Sequence, residues 1–330
     1  MPPPVATRGE RVEFGIHIGT RGCLTNRENI MAVAIAAEAA GYGILGVSDH
    51  LIMPLTASVR YPYTADGIHP AQQSGECFDV LATLAFLAGC TQRIKLLSSV
   101  AVVPHRPAVL TAKLFQTADI LSGGRVIAGV GAGWLKDEFE ALGAPPFDER
   151  GAVTDEYLQA FKALWTQNRP KMDGKYVKFD AVAFEPKPVS KPHPPIWVGG
   201  ESGPSLRRVA RYGDAWYPVS NNANILLNTP ERLKDGIARM HRSAERHGRD
   251  PSSIDVAYIW FMPPNWRERT GDDGQRTMFT GSSDAMLEDA AALKAVGVNH
   301  LIVYAQRPAI EQTLEMLHRF GEEVVRKASS

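Results

Sequence analysis

The sequence predicts a single α/β domain, a (β/α)8 barrel with insertion loops at the carboxyl-terminal face of its strands. Eight short runs rich in β-branched and aromatic residues alternate with helical segments along the whole chain. These runs are apolar on both faces, as expected for parallel strands buried between a barrel interior and a layer of helices. The length of 330 residues is compatible with one barrel domain covering 1–330.

The predicted strands are short and follow one another at the spacing of βα units. They cover 12–18, 44–48, 94–102, 126–130, 196–198, 215–219, 254–260 and 300–304. The first helix begins at the capping-box sequence Thr25-Asn-Arg-Glu28 and ends at Gly41. The later helices show apolar residues at helical spacing and end at glycine or polar segments. They cover 78–90, 108–121, 155–165, 204–212, 230–247, 283–296 and 309–325.

Three segments are too long to be simple connections between a strand and a helix. The segment 51–77 follows the second strand and 261–281 follows the seventh, so both are expected to cover the mouth of the barrel as lids. The segment 166–194 is rich in proline and lysine and contains a predicted hairpin at 175–184. The two lids supply aromatic candidates for a substrate pocket, namely Tyr61, Tyr63 and Trp266.

The composition excludes several classes of protein. Thirty-six basic and thirty-six acidic residues leave no net charge, which disfavours a nucleic-acid or anionic-membrane surface. Three cysteines without a C-x-x-C pair disfavour a disulfide framework or a thiolate zinc site. No apolar run approaches 18 residues, and the first residues lack the apolar core of a signal peptide. We therefore expect a cytoplasmic protein that binds a small molecule.

A glycine-rich segment, RVIAGVGAGWLKDEFEALG, joins the fourth strand to an acidic helix at 125–143. Glycines at such a junction allow backbone N–H groups to approach an anion closely. The segment lacks the Gly-Lys-Ser/Thr of a P-loop, and Trp134 stands where a dinucleotide fingerprint requires glycine. Two interpretations remain open from the residues alone, a phosphate cradle and a tight turn without a ligand.

The second strand ends in Ser48-Asp49-His50, which places an aspartate and a histidine at the barrel mouth. A histidine there is a natural proton donor or acceptor, although the pair could instead tether the following loop. A metal-dependent hydrolase is disfavoured, because His17 is followed by Ile18 and Gly19 rather than by a second ligand. No metal site is predicted.

Four sequence blocks together resemble the luciferase-like monooxygenase superfamily. They are SDH after the second strand, LSGGRVIAGVGAGWLKDEFEALG, ERGAVTDEYLQAFKALW and PPIWVGGESGPSLRRVARYGDAWYP, and the resemblance extends roughly over 14–304. It implies a barrel that binds the deazaflavin coenzyme F420 or FMN, with a tendency to form homodimers. The Ser-Asp-His sequence resembles the F420-dependent branch.

The resemblance also implies which residues contact the cofactor and where this chain departs from the pattern. The implied cofactor residues are Asp49, Ser99, Val100, Val102, Ala132, Gly133, Asp137, Gly199, Gly200, Ser202 and Gly203. A cis peptide bond is implied between Ser99 and Val100, and His50 is implied as the catalytic proton donor or acceptor. Sugar-phosphate dehydrogenases of this type have a glutamate where this chain has Trp134, which favours an apolar or aromatic substrate instead.

The sequence therefore predicts an F420-dependent oxidoreductase that transfers a hydride between the deazaflavin and a small, apolar or aromatic substrate. The alternative is an FMN-dependent monooxygenase that receives reduced flavin from a separate reductase and uses O2. A barrel that binds flavin without turnover is a third interpretation, which the presence of His50 disfavours.

Overall fold

The computed structural model describes residues 11–271 and 274–329 and confirms the predicted (β/α)8 barrel. In the described part of the chain, eight parallel strands form the barrel wall. They are Glu13–Ile18, Ile44–Val47, Lys95–Ser98, Val126–Gly131, Ile196–Gly199, Ala215–Tyr217, Asp255–Trp260 and His300–Tyr304. Each strand pairs in parallel with the next along the chain, and the first closes the barrel by pairing with the eighth, Glu13 opposite His300.

Helices surround this barrel in the order that the sequence predicts. The principal helices described are Arg27–Ala39 (α1), Val80–Cys90 (α2), Ala108–Ser122 (α3), Lys136–Leu142 (α4), Arg150–Thr166 (α5), Gly203–Tyr212 (α6), Pro230–Arg246 (α7), Ser283–Ala295 (α8) and Ile310–Phe320 (α9). α9 continues through a π-helical turn, Gly321–Val325, into a last short helix, Arg326–Ser329. None of the helices in the described ranges combines the length and apolar character needed to cross a bilayer.

The hydrophobic core has two layers, as expected for this architecture. Large apolar side chains fill the space between strands and helices, and Trp165, Phe115 and Phe161 of this layer are fully buried. A smaller cluster fills the barrel interior, with Leu97 and Ile302 among its buried members. Over the residues described, the filled interior leaves no channel through the barrel, so a ligand at the carboxyl-terminal mouth lies above this cluster.

Two local predictions differ from the structure. The third strand is not continuous over 94–102, because the chain leaves the sheet after Ser98 and pairs again only at Ala101–Val102. The hairpin predicted at 175–184 lies earlier, where Met172–Asp173 pairs with Lys178–Phe179. Glu156 of α5 fixes the turn of this hairpin by accepting hydrogen bonds from three consecutive backbone amides, 175–177.

Ion pairs hold the amino-terminal end of the barrel together. Glu13 accepts a hydrogen bond from Lys95 at 2.9 Å and lies 3.0 Å from Nδ1 of His300. The second ring nitrogen of His300 lies 3.6 Å from Asp255. Burial opposes ionisation here, but the hydrogen bonds and charges of the neighbours lower the pKa of Glu13 to about 2 and raise that of His300. This end of the barrel therefore serves stability.

Candidate active site

A cavity of about 440 Å³ lies at the carboxyl ends of the strands, within the range typical of small-molecule sites. Most of the site residues expected from the sequence line it. These are Asp49, His50, Tyr61, Tyr63, Ser99, Val100, Val102, Ala132, Gly133, Trp134, Gly199, Gly200 and Ser202. The strand ends and the 51–77 insertion thus bring together residues that are far apart in the chain.

Three expected site residues lie outside the cavity lining. Asp137 faces the first insertion, where its carboxylate accepts hydrogen bonds from the backbone N–H and hydroxyl of Ser58. Gly203 is the first residue of α6 and does not reach the cavity surface. Trp266 was expected in the pocket, and this is wrong: its indole N–H donates to Glu323 at 2.7 Å and its ring packs under Arg319, 4.2 Å away. Of the 261–281 insertion, Phe261 lines the cavity.

His50 forms a buried pair with Glu138, a residue that the sequence analysis did not single out. Nδ1 of His50 lies 2.8 Å from a carboxylate oxygen of Glu138, whose side chain is 1% exposed. The other oxygen accepts hydrogen bonds from the backbone N–H groups of Leu51 and Ile52. Because the Glu138 carboxylate accepts a hydrogen bond from Nδ1 of His50, Nε2 is the ring nitrogen that remains for a bound substrate.

Glu138 remains ionised at neutral pH despite its burial. Burial alone raises the pKa of a carboxyl group, but the hydrogen bond and charge of His50, the charge of His105 and the Leu51 amide outweigh it and lower the pKa of Glu138. An ionised carboxylate orients the imidazole and stabilises its protonated form. The pair is therefore suited to proton transfer.

Aromatic rings form the wall beside His50. His69 lies edge-to-face against His50 with ring centroids 4.7 Å apart, and Trp134 lies 6.1 Å from His50. Tyr61 packs against His69, Tyr63 and Trp134 at 4.7 to 5.2 Å. His69 accepts a hydrogen bond from Ala71 N–H at Nδ1, and burial, with smaller effects of His50 and Arg21, lowers its pKa to about 2. The wall is therefore neutral and apolar.

Asp49 lines the cavity but uses its carboxylate within the protein. Both oxygens accept hydrogen bonds from the Arg106 guanidinium, at 2.8 and 2.9 Å, and one also accepts the Val102 N–H at 2.9 Å. The same guanidinium binds Asp79, the N-cap residue of α2, at 2.6 Å. Asp49 therefore tethers the loop that follows the second strand, as the sequence analysis allows, whereas Nε2 of His50 remains available to a ligand.

The glycines at the ends of the fourth and fifth strands make room for Val100. The peptide bond between Ser99 and Val100 is cis, as the resemblance implies. A Cβ at Gly131 would lie 2.7 Å from Val100, and one at Gly199 would lie 3.3 Å from it. Gly200 has a φ of +102°, and a Cβ there would lie 2.6 Å from the Ser205 hydroxyl. Any side chain at Gly200 would disturb the turn itself, so Gly199 is the better position for testing whether these glycines bind a phosphate.

Positive charge lies beside these glycines. Arg150 lines the cavity and donates to the Gly133 carbonyl at 3.2 Å, and Arg208 lines it while paired with Asp155 at 2.6 Å. Ser202 caps α6 by accepting the Ser205 N–H, and Pro204 has no N–H, so the Gly203 N–H is the donor that the start of α6 can offer to an anion. A helix N-terminus with a neighbouring guanidinium favours an anion such as a phosphate.

The floor of the cavity is a chain of neutral hydrogen-bonding groups. Ser99 Oγ lies 2.8 Å from both His17 Nδ1 and the Tyr217 hydroxyl. Burial, aided by the charge of Arg21, lowers the pKa of His17 to about 3. The floor can therefore exchange hydrogen bonds with a polar ring without carrying charge.

These features fit a cofactor with a planar polar ring and a phosphate tail. Val100 and the hydrogen-bonding floor would contact the ring, and the α6 terminus with Arg150 would contact the phosphate. Among the described residues, no three His, Cys, Asp or Glu side chains are grouped as a metal site would require.

The class that this barrel and site define is confirmed by comparison with known proteins. The model of the luciferase-like monooxygenase family matches residues 12–269, and the chain belongs to this family. It is 34% identical over 263 residues to an uncharacterised protein of Mycobacterium tuberculosis, covering 79% of this chain and 89% of that protein.

Relatives with named activities use two different cofactors. The chain is 28% identical over 257 residues to the FMNH2-dependent dimethylsulfone monooxygenase of Pseudomonas putida, covering 66% of this chain and 70% of that one. A solved F420-dependent secondary alcohol dehydrogenase, in complex with an F420–acetone adduct, superposes with a TM-score of 0.73 at 18% identity and covers 97% and 99% of the two chains. That structural likeness supports the fold. The family membership supports a luciferase-like oxidoreductase.

Proposed function

We propose that the protein is an F420-dependent oxidoreductase in which His50 donates or accepts the proton that accompanies hydride transfer. The single observation that carries this proposal is the buried His50–Glu138 pair at the wall of an aromatic cavity. Interconversion of an alcohol and a carbonyl requires a proton on oxygen and a hydride on carbon, and an oriented imidazole supplies the first.

The residues of this chain have separable roles in such a reaction. Bound F420 supplies a ring carbon that accepts or donates a hydride. Glu138 fixes the imidazole so that Nε2 of His50 is directed at the substrate oxygen, while Tyr61 and Trp134 exclude water from the reacting atoms. On oxidation of an alcohol, Nε2 takes the hydroxyl proton; on reduction, it returns that proton to the carbonyl oxygen.

The second candidate is an FMN-dependent monooxygenase supplied with reduced flavin by a separate reductase. The observation favouring it is the 28% sequence identity over 257 residues to the FMNH2-dependent dimethylsulfone monooxygenase. A cofactor-binding experiment separates the two candidates, because the chemistry follows from the cofactor.

Side-by-side titration of the purified protein with oxidised F420 and with FMN, followed by cofactor fluorescence, tests the proposal. We expect F420 to bind about tenfold or more tightly than FMN, a difference of ~1.4 kcal/mol. Gly199→Ala should weaken F420 binding, because the new Cβ would lie 3.3 Å from Val100 at the cavity wall. The control Gly89→Ala, on α2 with open space around it, should not. Equal or tighter binding of FMN, with O2 consumption when reduced FMN is supplied, would establish the monooxygenase instead.

A further inference from the structure

Arg21 presents a guanidinium to the cavity on the side of the first and eighth strands. It follows the first strand and donates a hydrogen bond to the Tyr304 hydroxyl at 2.7 Å, with its guanidinium carbon 5.9 Å from that ring. Gln306 fixes the backbone beneath it, accepting from Gly19 N–H at 3.1 Å and donating to the Arg21 carbonyl at 2.6 Å. The loop is therefore pinned while the charged group lines the cavity.

Within residues 11–271 and 274–329, the guanidinium of Arg21 has no carboxylate partner. Two other arginines at this end of the barrel, Arg106 and Arg208, differ in this respect. Arg106 binds two carboxylates and Arg208 binds Asp155. Arg150 donates to backbone carbonyls, but it lies beside Gly133 and the glycine-rich strand ends. Among the described residues that line the cavity, Arg21 is thus a cation without a carboxylate partner on the side away from the proposed phosphate site.

The charge of Arg21 reaches the wall that carries His50. Besides burial, which is the larger cause, the positive charge of Arg21 lowers the pKa values of His17 and His69. His69 is in ring contact with His50. Arg21 and His50 line the same cavity.

A guanidinium that has no carboxylate partner and lies in a cavity lined by aromatic side chains favours the binding of an anion. The surrounding rings reduce the local dielectric constant, which strengthens the attraction for an opposite charge. The planar guanidinium matches a carboxylate with two parallel hydrogen bonds, and the Tyr304 hydroxyl adds a third polar contact. One cation without other charged partners suits a single negative charge better than a phosphate dianion.

We propose that Arg21 anchors the carboxylate of the substrate, and that the substrates are small aromatic or apolar monocarboxylic acids. The assignment rests on the proposed function, because it places the reacting carbon of the acid beside His50. The aromatic wall would then receive the apolar part of the same molecule, and Arg21 is a specificity-determining residue.

Calorimetric titration of the cofactor-free protein with benzoate and with its neutral counterpart benzamide tests the proposal. Phosphate buffer occupies the competing anion site. We expect benzoate to bind about tenfold or more tightly than benzamide, ~1.4 kcal/mol. Arg21→Gln should abolish this preference while leaving benzamide binding unchanged. The matched control is Arg27→Gln, whose side chain on α1 is 65% exposed, and it should retain the preference.

Equal binding of the two compounds, or a benzoate preference that survives Arg21→Gln, would overturn the assignment. Mutual exclusion of benzoate and a saturating cofactor would also overturn it, because Arg21 would then belong to the cofactor site. The benzoate titration needs neither turnover nor a bound cofactor. Failure of F420 to bind would therefore reject the proposed function, while the role of Arg21 would still be judged from the benzoate preference.

Discussion

The carboxylate of Glu138 accepts hydrogen bonds from His50 and from the Leu51 and Ile52 amides, and it thereby fixes both the imidazole and the start of the first insertion. Glu138 lies on α4, within the glycine-rich segment 125–143, so one residue couples two parts of the site. Replacing the carboxylate by an amide keeps its shape but removes the negative charge beside the His50 imidazole.

We expect His50→Asn to lower turnover roughly 10²- to 10⁴-fold, the usual contribution of a positioned proton-transfer group, with cofactor affinity retained. Glu138→Gln should also lower turnover while KM and cofactor affinity change little, because its effect passes through His50. In His50→Asn protein, the same Glu138→Gln change should have almost no further effect. Steady-state kinetics on both single variants and the double variant measure this coupling. Additive losses would show that Glu138 acts independently of His50.

The sequence allowed His50 to be predicted, but it did not single out Glu138, the carboxylate that pairs with His50. Asp137 was chosen because of the family resemblance, and one residue on a helix corresponds to about 100° of rotation. Asp137 faces Ser58, and Glu138 faces the barrel. The pattern KDEFE contains four charged residues in five, so the sequence does not indicate which carboxylate is buried. Arg21 was not identified for a similar reason, since its partner Tyr304 is 283 residues away.

At the scale of whole elements, Arg106 connects the end of the second strand, the third strand and the start of α2. It binds Asp49, whose carboxylate also accepts the Val102 N–H, and it binds Asp79. The side chain of Asp49 is fully buried, whereas that of Asp79 is 33% exposed. Burial opposes ionisation of Asp49, but Arg106 and the Val102 amide outweigh it and lower its pKa.

We expect Asp49→Asn to destabilise the fold by ~3–5 kcal/mol, because it leaves a buried guanidinium without its main counter-charge. Asp79→Asn should cost less, since Asp79 is partly hydrated and asparagine can still cap α2. Denaturant unfolding of the two variants beside the parent protein gives both values. A loss for Asp49→Asn no larger than that for Asp79→Asn would mean that Asp49 serves the ligand rather than the fold.

The helices and strands could be predicted from periodicity, but their irregularities could not. The sequence IKLLSSVAV at 94–102 reads as one strand, and no local signal marks the break after Ser98. Trp266 was placed in the pocket because it follows a strand end; its indole N–H instead pairs with Glu323 of the last helical segment. Such long-range contacts arise only when the barrel closes.

Considered as a whole, the molecule buries several histidines in neutral form. Burial lowers the pKa values of His17 to about 3, of His69 to about 2 and also that of His105. Below the ordinary value of 6.5, the unfolded chain takes up protons at these positions and the folded protein does not. Folding stability must therefore fall on acidification. His300 has the opposite effect on stability. Its raised pKa adds stability that is present below pH 6.5 and is lost as the pH rises through the raised pKa.

We expect the free energy of unfolding to fall between about pH 6 and pH 5 by up to ~1.4 kcal/mol per pH unit for each buried neutral histidine. His69→Phe keeps an aromatic ring and should reduce this slope by the contribution of one histidine, ~1.4 kcal/mol per pH unit. The exposed His318 offers a matched control, His318→Gln, which should preserve the slope. Denaturant unfolding at a series of pH values provides the measurement. A parent protein equally stable across this range would contradict the buried neutral state.

The double attachment of Arg106 has an evolutionary consequence. Asp49 and Asp79 flank the 51–77 segment, and because one guanidinium holds both, the two ends of that segment are fixed independently of what lies between them. Closing a longer loop between fixed ends costs little additional entropy. We therefore expect the barrel to tolerate insertions and deletions within this segment, or its exchange for the segment of another barrel. Such changes would alter which molecules enter the cavity, while the strands keep their positions. New specificities could arise in this protein by exchange of one surface segment, without redesign of its core.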